Sequence, residues 1–268
     1  MIHFFDVDTG GSEPRYRGTQ NSLSGWGPDQ VAGPAVVGLF AQVLDDERAV
    51  EGFTPGRLTI ELLRPFRTAP TTMHTEVIRT GRRIVVCRAD AVQGDHLVAT
   101  ATWVQYRRTE NAPGERWRPD LTVPTPPALA TPPAVVPGSE DATTWYHSDS
   151  AGWTTGVVDH ANADRFTAWW NPPQVTVGRD PGPYARAMMV GEWTSLVTNV
   201  GTTWVGYING DLTIALTRLP VGDWVGIQAM SHTDHDGIAV GTSTLADLSG
   251  VIGSGMVTAI ANKHPDST

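Results

Sequence analysis

The chain has 268 residues but only one cysteine, Cys87, so an internal disulfide is excluded. Such poverty in thiols suits a reducing, cytoplasmic setting. No stretch reaches the roughly 18 consecutive apolar residues of a membrane span. The opening MIHFFDVDTGG has an acidic flank and no basic segment leading into a long apolar run, so it does not read as a signal peptide. Charged residues make up only 18%, and the net charge of −9 argues against non-specific binding to nucleic acid. No G-x-G-x-x-G follows a strand pattern, so a dinucleotide cofactor is unsupported and none is expected. Gly253-Ser254-Gly255 lacks the spacing of a G-x-S-x-G nucleophile elbow. His232 and His235 lie in SHTDHDG, a hairpin-turn pattern that reads as a solvated loop, and no metal site is expected. Cys87 lies within the apolar strand RIVVCRADA and reads as core.

What the chain does have is an internal repeat. Arg57–Phe66 reads RLTIELLRPF and Asp211–Pro220 reads DLTIALTRLP, 154 residues later. Leu58/Leu212, Thr59/Thr213, Ile60/Ile214, Leu62/Leu216 and Arg64/Arg218 match without a gap. The second copy alternates as a strand, with Asn-Gly before it and Pro-Val-Gly after it. A strand repeated once in each half suggests two copies of one small domain. Ten Trp, 28 Gly and 20 Pro fit a strand-rich globular chain.

Each half shows the same order of elements. In the first, GPAVVGLFAQVL over Gly33–Leu44 is apolar on nearly every side and predicts a helix buried all round. Pro34 suits its first turn. Strands are predicted over 57–66, 71–80, 83–93 and 96–108, with turns at Gly81 and Gly94-Asp95. In the second half, strands over about 145–158 and 165–177 precede a helix from Tyr184 to about Val200. Strands over 203–209, 211–220, 223–233, 238–246 and 250–261 follow. Between the halves, residues 111–140 hold eight of the 20 prolines and read as a connector. The expected organisation is therefore a unit over 1–110, a Pro-rich linker over 111–140 and a unit over 141–268. A helix before an antiparallel meander suggests a helix lying in a curled sheet, an α+β arrangement.

Three segments carry a family resemblance: GPDQVAGPAVVGLFA (27–41), RLTIELLRPF with EVIRTGRRIVVCRADAVQGDHLVATAT (57–102), and INGDLTIALTRLPVGDWVGIQA (208–229). With them the chain resembles the acyl-CoA thioesterases of the thioesterase II type, in their actinobacterial thioesterase-like branch. The resemblance implies a double hotdog, two antiparallel curled sheets each wrapped around a buried helix. It implies hydrolysis of acyl-CoA to free acid and coenzyme A, a place in lipid metabolism, and edge-to-edge association into a homo-oligomer. The resembling proteins use an Asp on the second helix, a Thr or Asn at the start of the next strand, and a Gln on the last strand. By motif these positions fall here at Gly191, with Glu192 beside it, at Asn209, and at Val257.

By their own chemistry, several residues could serve such a reaction. Glu192 lies among Met188, Met189, Trp193 and Leu196. A carboxylate in apolar surroundings has a raised pKa and suits a general base near neutrality, whereas on a wet helix face it is an ordinary surface acid. Asn209 can donate to an oxyanion or orient water, or can simply form the Asn-Gly turn. Asp211 is a second acid at the edge of the repeated strand. Met188 and Trp193 are expected to line the acyl tunnel. Residues 54–108 hold nine Arg against four acids, which leaves −14 on the rest of the chain. A basic face of this kind suits the phosphates of coenzyme A, with Arg64, Arg82 and Arg83 as candidates. Two other functions stay open. One is an acyl-thioester-binding protein with a weakened site, favoured by Val257. The other is a hotdog dehydratase, which would need an acid paired with His147 or His160.

Overall fold

The structure is a computed structural model describing residues 2–130 and 143–262. Its first half runs β1 (His3–Asp8), β2 (Arg15–Gly18), α1 (Gly33–Arg48), β3 (Phe53–Leu62), β4 (Thr71–Thr80), β5 (Ile84–Gln93) and β6 (His96–Arg107). The second half opens with β7 (Thr144–Ser148), β8 (Gly152–Thr154), β9 (Thr167–Trp170), β10 (Gln174–Thr176), α2 (Pro183–Glu192) and α3 (Thr194–Asn199). It closes with β11 (Val200–Gly201), β12 (Trp204–Val205), β13 (Tyr207–Asn209), β14 (Asp211–Leu216), β15 (Val225–His235), β16 (Ile238–Asp247) and β17 (Gly250–Ala261).

The repeat extends well beyond the strand that reveals it. β5 and β16, and likewise β6 and β17, start and end at positions 154 residues apart. The two strands predicted in the second half at 145–158 and 165–177 are each broken in two, and the 171–173 break carries Asn171-Pro172-Pro173. A proline gives no N–H to a ladder, so a run containing two in succession cannot continue as a paired strand. The predicted helix 184–200 is likewise interrupted, at Trp193.

Sequence alone pointed to two sheets, each around its own helix. Among the described residues, all strands but β11 and β12, which pair with each other, instead form one 15-stranded sheet in the order β10-β1-β2-β4-β5-β6-β3-β14-β17-β16-β15-β9-β7-β8, with β13 paired to β17. β3 and β14 join the halves antiparallel, in the register Ile60–Leu212, Thr59–Thr213 and Leu58–Ile214. Pairing these two edges satisfies backbone groups that two separate sheets would leave open. Among the described residues, only β1 and β10 pair in parallel.

The helices α1 and α2 pack on each other, with α1 also against β4, β5 and β10 and α2 against β14, β15 and β17. Leu39, Phe40 and Leu44 of α1 and Met188 and Met189 of α2 are completely buried in one continuous apolar core. Burial of each such side chain contributes roughly 1.5–3 kcal/mol. Cys87 lies in the same core, as its strand pattern predicts. Among the described residues no helix is long and apolar enough to cross a membrane.

The linker expected over 111–140 is described as far as residue 130, and the remainder lies outside the described residues. Its described part is not free of the fold. Val123 is buried with Trp145 and Trp169, and the Pro124 carbonyl accepts a 2.7 Å hydrogen bond from Trp169 Nε1.

Candidate active site

Glu192 is the last residue of α2, and it is 7% exposed. Its burial follows from the apolar α2 sequence PYARAMMVGE, whose residues from Ala187 onward are all buried. The carboxylate lies against Gly33, the first residue of α1: a Cβ built on Gly33 would stand 1.9 Å from Glu192 Oε1. Only glycine leaves this space open. Loss of hydration pushes the Glu192 carboxyl up to about 8, while a hydrogen bond from the Asn209 side chain opposes the shift by favouring the anion. The positive end of the α1 dipole acts in the same sense as Asn209.

Glu192 and Asn209, nominated separately by the sequence, are thus close enough for the Asn209 amide to act on the carboxyl, while Asn209 Nδ2 also donates to the Asp211 carbonyl at 3.5 Å. Asp211 is turned elsewhere. Its Oδ1 accepts the Thr258 backbone N–H at 2.7 Å, and it sits opposite Glu61 where the two halves join. It ties β17 to β14.

The neighbouring position explains why the acid stands at 192. A Cβ on Gly191 would approach Ile214 Cδ1 to 2.5 Å, so a side chain there has no room beside the repeated strand. Val257 is fully buried in the main core. Met188 is also fully buried, and Trp193 stacks on Trp170 at 4.5 Å between ring centroids, with Tyr146 at 5.8 Å on its flank. Together they make an aromatic and thioether wall beside Glu192.

His160 is buried, with Nδ1 2.8 Å from Ser148 Oγ and Nε2 3.0 Å from Thr154 Oγ1. Burial holds its pKa below the ordinary value. Its two ring nitrogens meet hydroxyls, not a carboxylate, and His147 lies tilted against Trp153, 4.8 Å between ring centroids. Among the described residues neither is paired with an acid as a dehydratase would need.

The candidate arginines are separated. Arg82 and Arg83 lie in the turn between β4 and β5, whereas Arg64 lines a cavity at the other end of that hairpin, with Thr72 and Gln93. Arg15 and Arg67 line the same cavity. Sequence reasoning missed both for this role, and it missed Gly33. The apolar run starting at Gly33 was the available hint for the last, whereas nothing local relates Arg15 to Arg64.

Residues 23–106 match the pattern of the acyl-CoA thioesterase N-terminal domain, and residues 119–259 that of the acyl-CoA thioesterase C-terminal domain. No curated protein is significantly similar to the sequence. Solved structures are similar over nearly the whole chain. A TesB protein of Mycobacterium avium subsp. paratuberculosis is 18% identical, with 96% of each chain covered and a TM-score of 0.62. The acyl-CoA thioesterase II TesB2 of Mycobacterium marinum is 15% identical, with 98% of each chain covered and a TM-score of 0.62. A hot dog fold protein of unknown function from Alicyclobacillus acidocaldarius is 16% identical, with 96% of each chain covered and a TM-score of 0.69. At these identities the likeness is one of fold. The domain matches reach further, because the C-terminal pattern alone spans more than half of the chain, and on that ground the chain belongs to the acyl-CoA thioesterase family.

Proposed function

We propose that Glu192, assisted by Asn209, carries the hydrolysis of acyl-CoA thioesters that family membership assigns to this chain. The observation that supports this is the buried carboxyl of Glu192, set against the start of α1 and raised to about 8 despite the opposing influence of the Asn209 amide. As a general base, the Glu192 anion takes one proton from a water whose oxygen bonds to the thioester carbon. The tetrahedral adduct then loses the sulfur, the C–S bond breaks, and the proton passes to the departing thiolate. The products are a carboxylic acid and coenzyme A. Asn209 holds the carboxylate in its ionised, oriented state, while Met188 and the Trp193–Trp170 stack take the apolar acyl chain.

In this reading the single sheet is a double hotdog whose two units, 1–110 and 141–268, are fused edge to edge at β3 and β14 and connected through 111–140. Cytoplasmic work in lipid metabolism, as a homo-oligomer or alone, fits the one-cysteine chain.

Thiol release from a panel of short to long acyl-CoAs, by wild type and Glu192→Gln together, tests the site. Turnover in the wild type that falls by about 100-fold or more in the variant is the expected result. Equal turnover by both proteins would remove Glu192 from the mechanism. Saturable acyl-CoA binding without turnover would make the chain a binding protein on an enzyme's fold.

A further inference from the structure

The cavity around Arg64 has a volume of about 700 Å³, within the range of small-ligand sites. Arg15, Arg64, Arg67 and His96 line it, and no Asp or Glu does. Arg67 is bonded to Asp29, whereas Arg15 and Arg64 have no carboxylate partner among the described residues. Two neighbouring guanidinium groups without an acid partner, Arg15 and Arg64, are conspicuous in a chain of net charge −9.

The repeat supplies the reason. Arg218 is the second-half equivalent of Arg64, and Asp247 the equivalent of Gln93. In the second half, Asp247 accepts from Arg218 Nη1 at 2.5 Å and Nη2 at 2.9 Å, and from the Val221 N–H at 2.8 Å. In the first half, Gln93 Oε1 accepts the N–H of Arg67, the residue equivalent to Val221, at 3.1 Å. The bond to the loop is kept while the charge is lost. Gln93 Nε2 then donates to the Arg67 carbonyl at 2.7 Å and to Thr71 Oγ1 at 2.9 Å, so a donor stands where Asp247 has its second carboxylate oxygen and Arg64 gains no negative partner. Gln93 is itself only 8% exposed, and these bonds fix the loop that carries Arg67 before any ligand arrives. One copy of the motif is closed by its own carboxylate, and the other is left open to an anion from outside.

Segments that flank the cavity are hydrogen-bonded to segments that flank the proposed active site. The Phe66 carbonyl accepts from the Val31 N–H at 2.8 Å, two residues before Gly33, and the Gly210 carbonyl, next to Asn209, accepts from the Leu62 N–H at 2.8 Å. We propose that this cavity binds the phosphates of the coenzyme A nucleotide, with Arg15 and Arg64 as their principal partners. The identity of the nucleotide rests on the thioesterase reading, while the anion site rests on the comparison of the two halves. Guanidinium groups suit the task because their paired N–H donors match phosphate oxygens.

Calorimetric titration of the full chain with 3′,5′-ADP tests the site independently of turnover. Saturable binding is expected in the wild type, with Kd raised roughly tenfold or more in Arg15→Ala and Arg64→Ala. Arg118→Ala, which removes an equal charge from the exposed 111–120 stretch, should leave Kd unchanged. Gln93→Glu, which restores the carboxylate of the second half, should abolish binding, and its thermal unfolding would show whether the fold survives. No binding by the wild type, or equal binding by all the arginine variants, would overturn the proposal. Competition by 4′-phosphopantetheine as strong as by 3′,5′-ADP would overturn the assignment to the nucleotide. Nucleotide binding with this pattern in a protein that hydrolyses no thioester would uphold the cavity while removing the catalytic reading.

Discussion

Thr59 and Thr213 face each other at the centre of the sheet with their hydroxyl oxygens 3.0 Å apart, and they are the same position of the internal repeat, 154 residues removed. Antiparallel pairing of two equivalent strands about this pair gives the joint an approximate twofold symmetry. The neighbours follow suit, with Leu58 opposite Ile214 and Ile60 opposite Leu212. A joint of this kind is isologous, like the contact of a symmetric dimer, but lies within one chain.

A double-mutant cycle measures what this pair contributes. Thr59→Val and Thr213→Val are each expected to cost about 1 kcal/mol or less, with a coupling of roughly 0.5 kcal/mol between them. Denaturant unfolding of the four proteins checks it. Additive effects would show that the hydroxyl contact adds nothing beyond the backbone ladder.

The Glu192 carboxyl, with its pKa raised to about 8, predicts the pH dependence of hydrolysis. Proton abstraction requires the anion, so kcat/KM should climb with pH and level off above about 8. Glu192→Gln should lose that limb. A wild-type profile that stays flat across the neutral and mildly alkaline range would exclude Glu192 as the base.

The same group makes a stability prediction of definite sign. Burial raises its pKa in the folded state, so the folded protein prefers the protonated carboxyl. That preference is fully present below the unfolded value near 4.5 and is lost as pH rises through about 8. Relative to wild type, Glu192→Gln should therefore gain stability progressively across this interval, by roughly 3–5 kcal/mol at its upper end. Thermal unfolding of both proteins at several pH values measures the gain. A difference that does not vary with pH would mean that the carboxyl is hydrated in the folded protein.

Gly33→Ala places a methyl where the Glu192 carboxylate lies, 1.9 Å from Oε1. Either the acid or α1 must shift, at a cost of about 1–3 kcal/mol. Hydrolysis is expected to fall further than folding does, read as a drop in kcat for protein still folded by circular dichroism. Normal kcat in Gly33→Ala would show that the carboxylate can work from another position.

Arg218 and Asp247 form the closed copy of the arginine motif, in which the Asp247 side chain is fully buried and that of Arg218 is 37% exposed. Arg218, Ser249 and two backbone N–H groups hold the Asp247 carboxyl well below the usual carboxylate range. Its contribution is present above the ordinary carboxylate pKa and fades as pH falls through the depressed value. Arg218→Ala should cost roughly 3 kcal/mol at neutral pH, because it strands a buried charge. Arg64→Ala, at the equivalent open position, should cost well under 1 kcal/mol. Equal losses in the two variants would contradict the asymmetry between the halves.

Much of the architecture was legible along the chain. Alternation and turn residues placed β4 at 71–80 and β17 at 250–261, and the apolar run from Gly33 marked the buried helix. These are local properties, because a strand's period and a helix's surface are determined by neighbours a few residues away. Glu192 and Asn209 stood out for the same reason, one as an acid in an apolar helix and the other as a turn residue before the repeated strand.

The tertiary structure decided the relations that no local pattern contains. Alternation shows which face of β3 and β14 is buried but not that their edges pair, and that pairing turned two expected sheets into one. It set Gly33 against Glu192 and Ile214 against Gly191, so the acid fits at 192 and not at 191. It also brought Asp247 onto Arg218 while Gln93 left Arg64 without an acid. Charge compensation and free volume depend on what approaches from elsewhere in the chain. The sequence by itself determined the repeat, its strands and the kinds of side chain available, and the folded packing decided which of them meet.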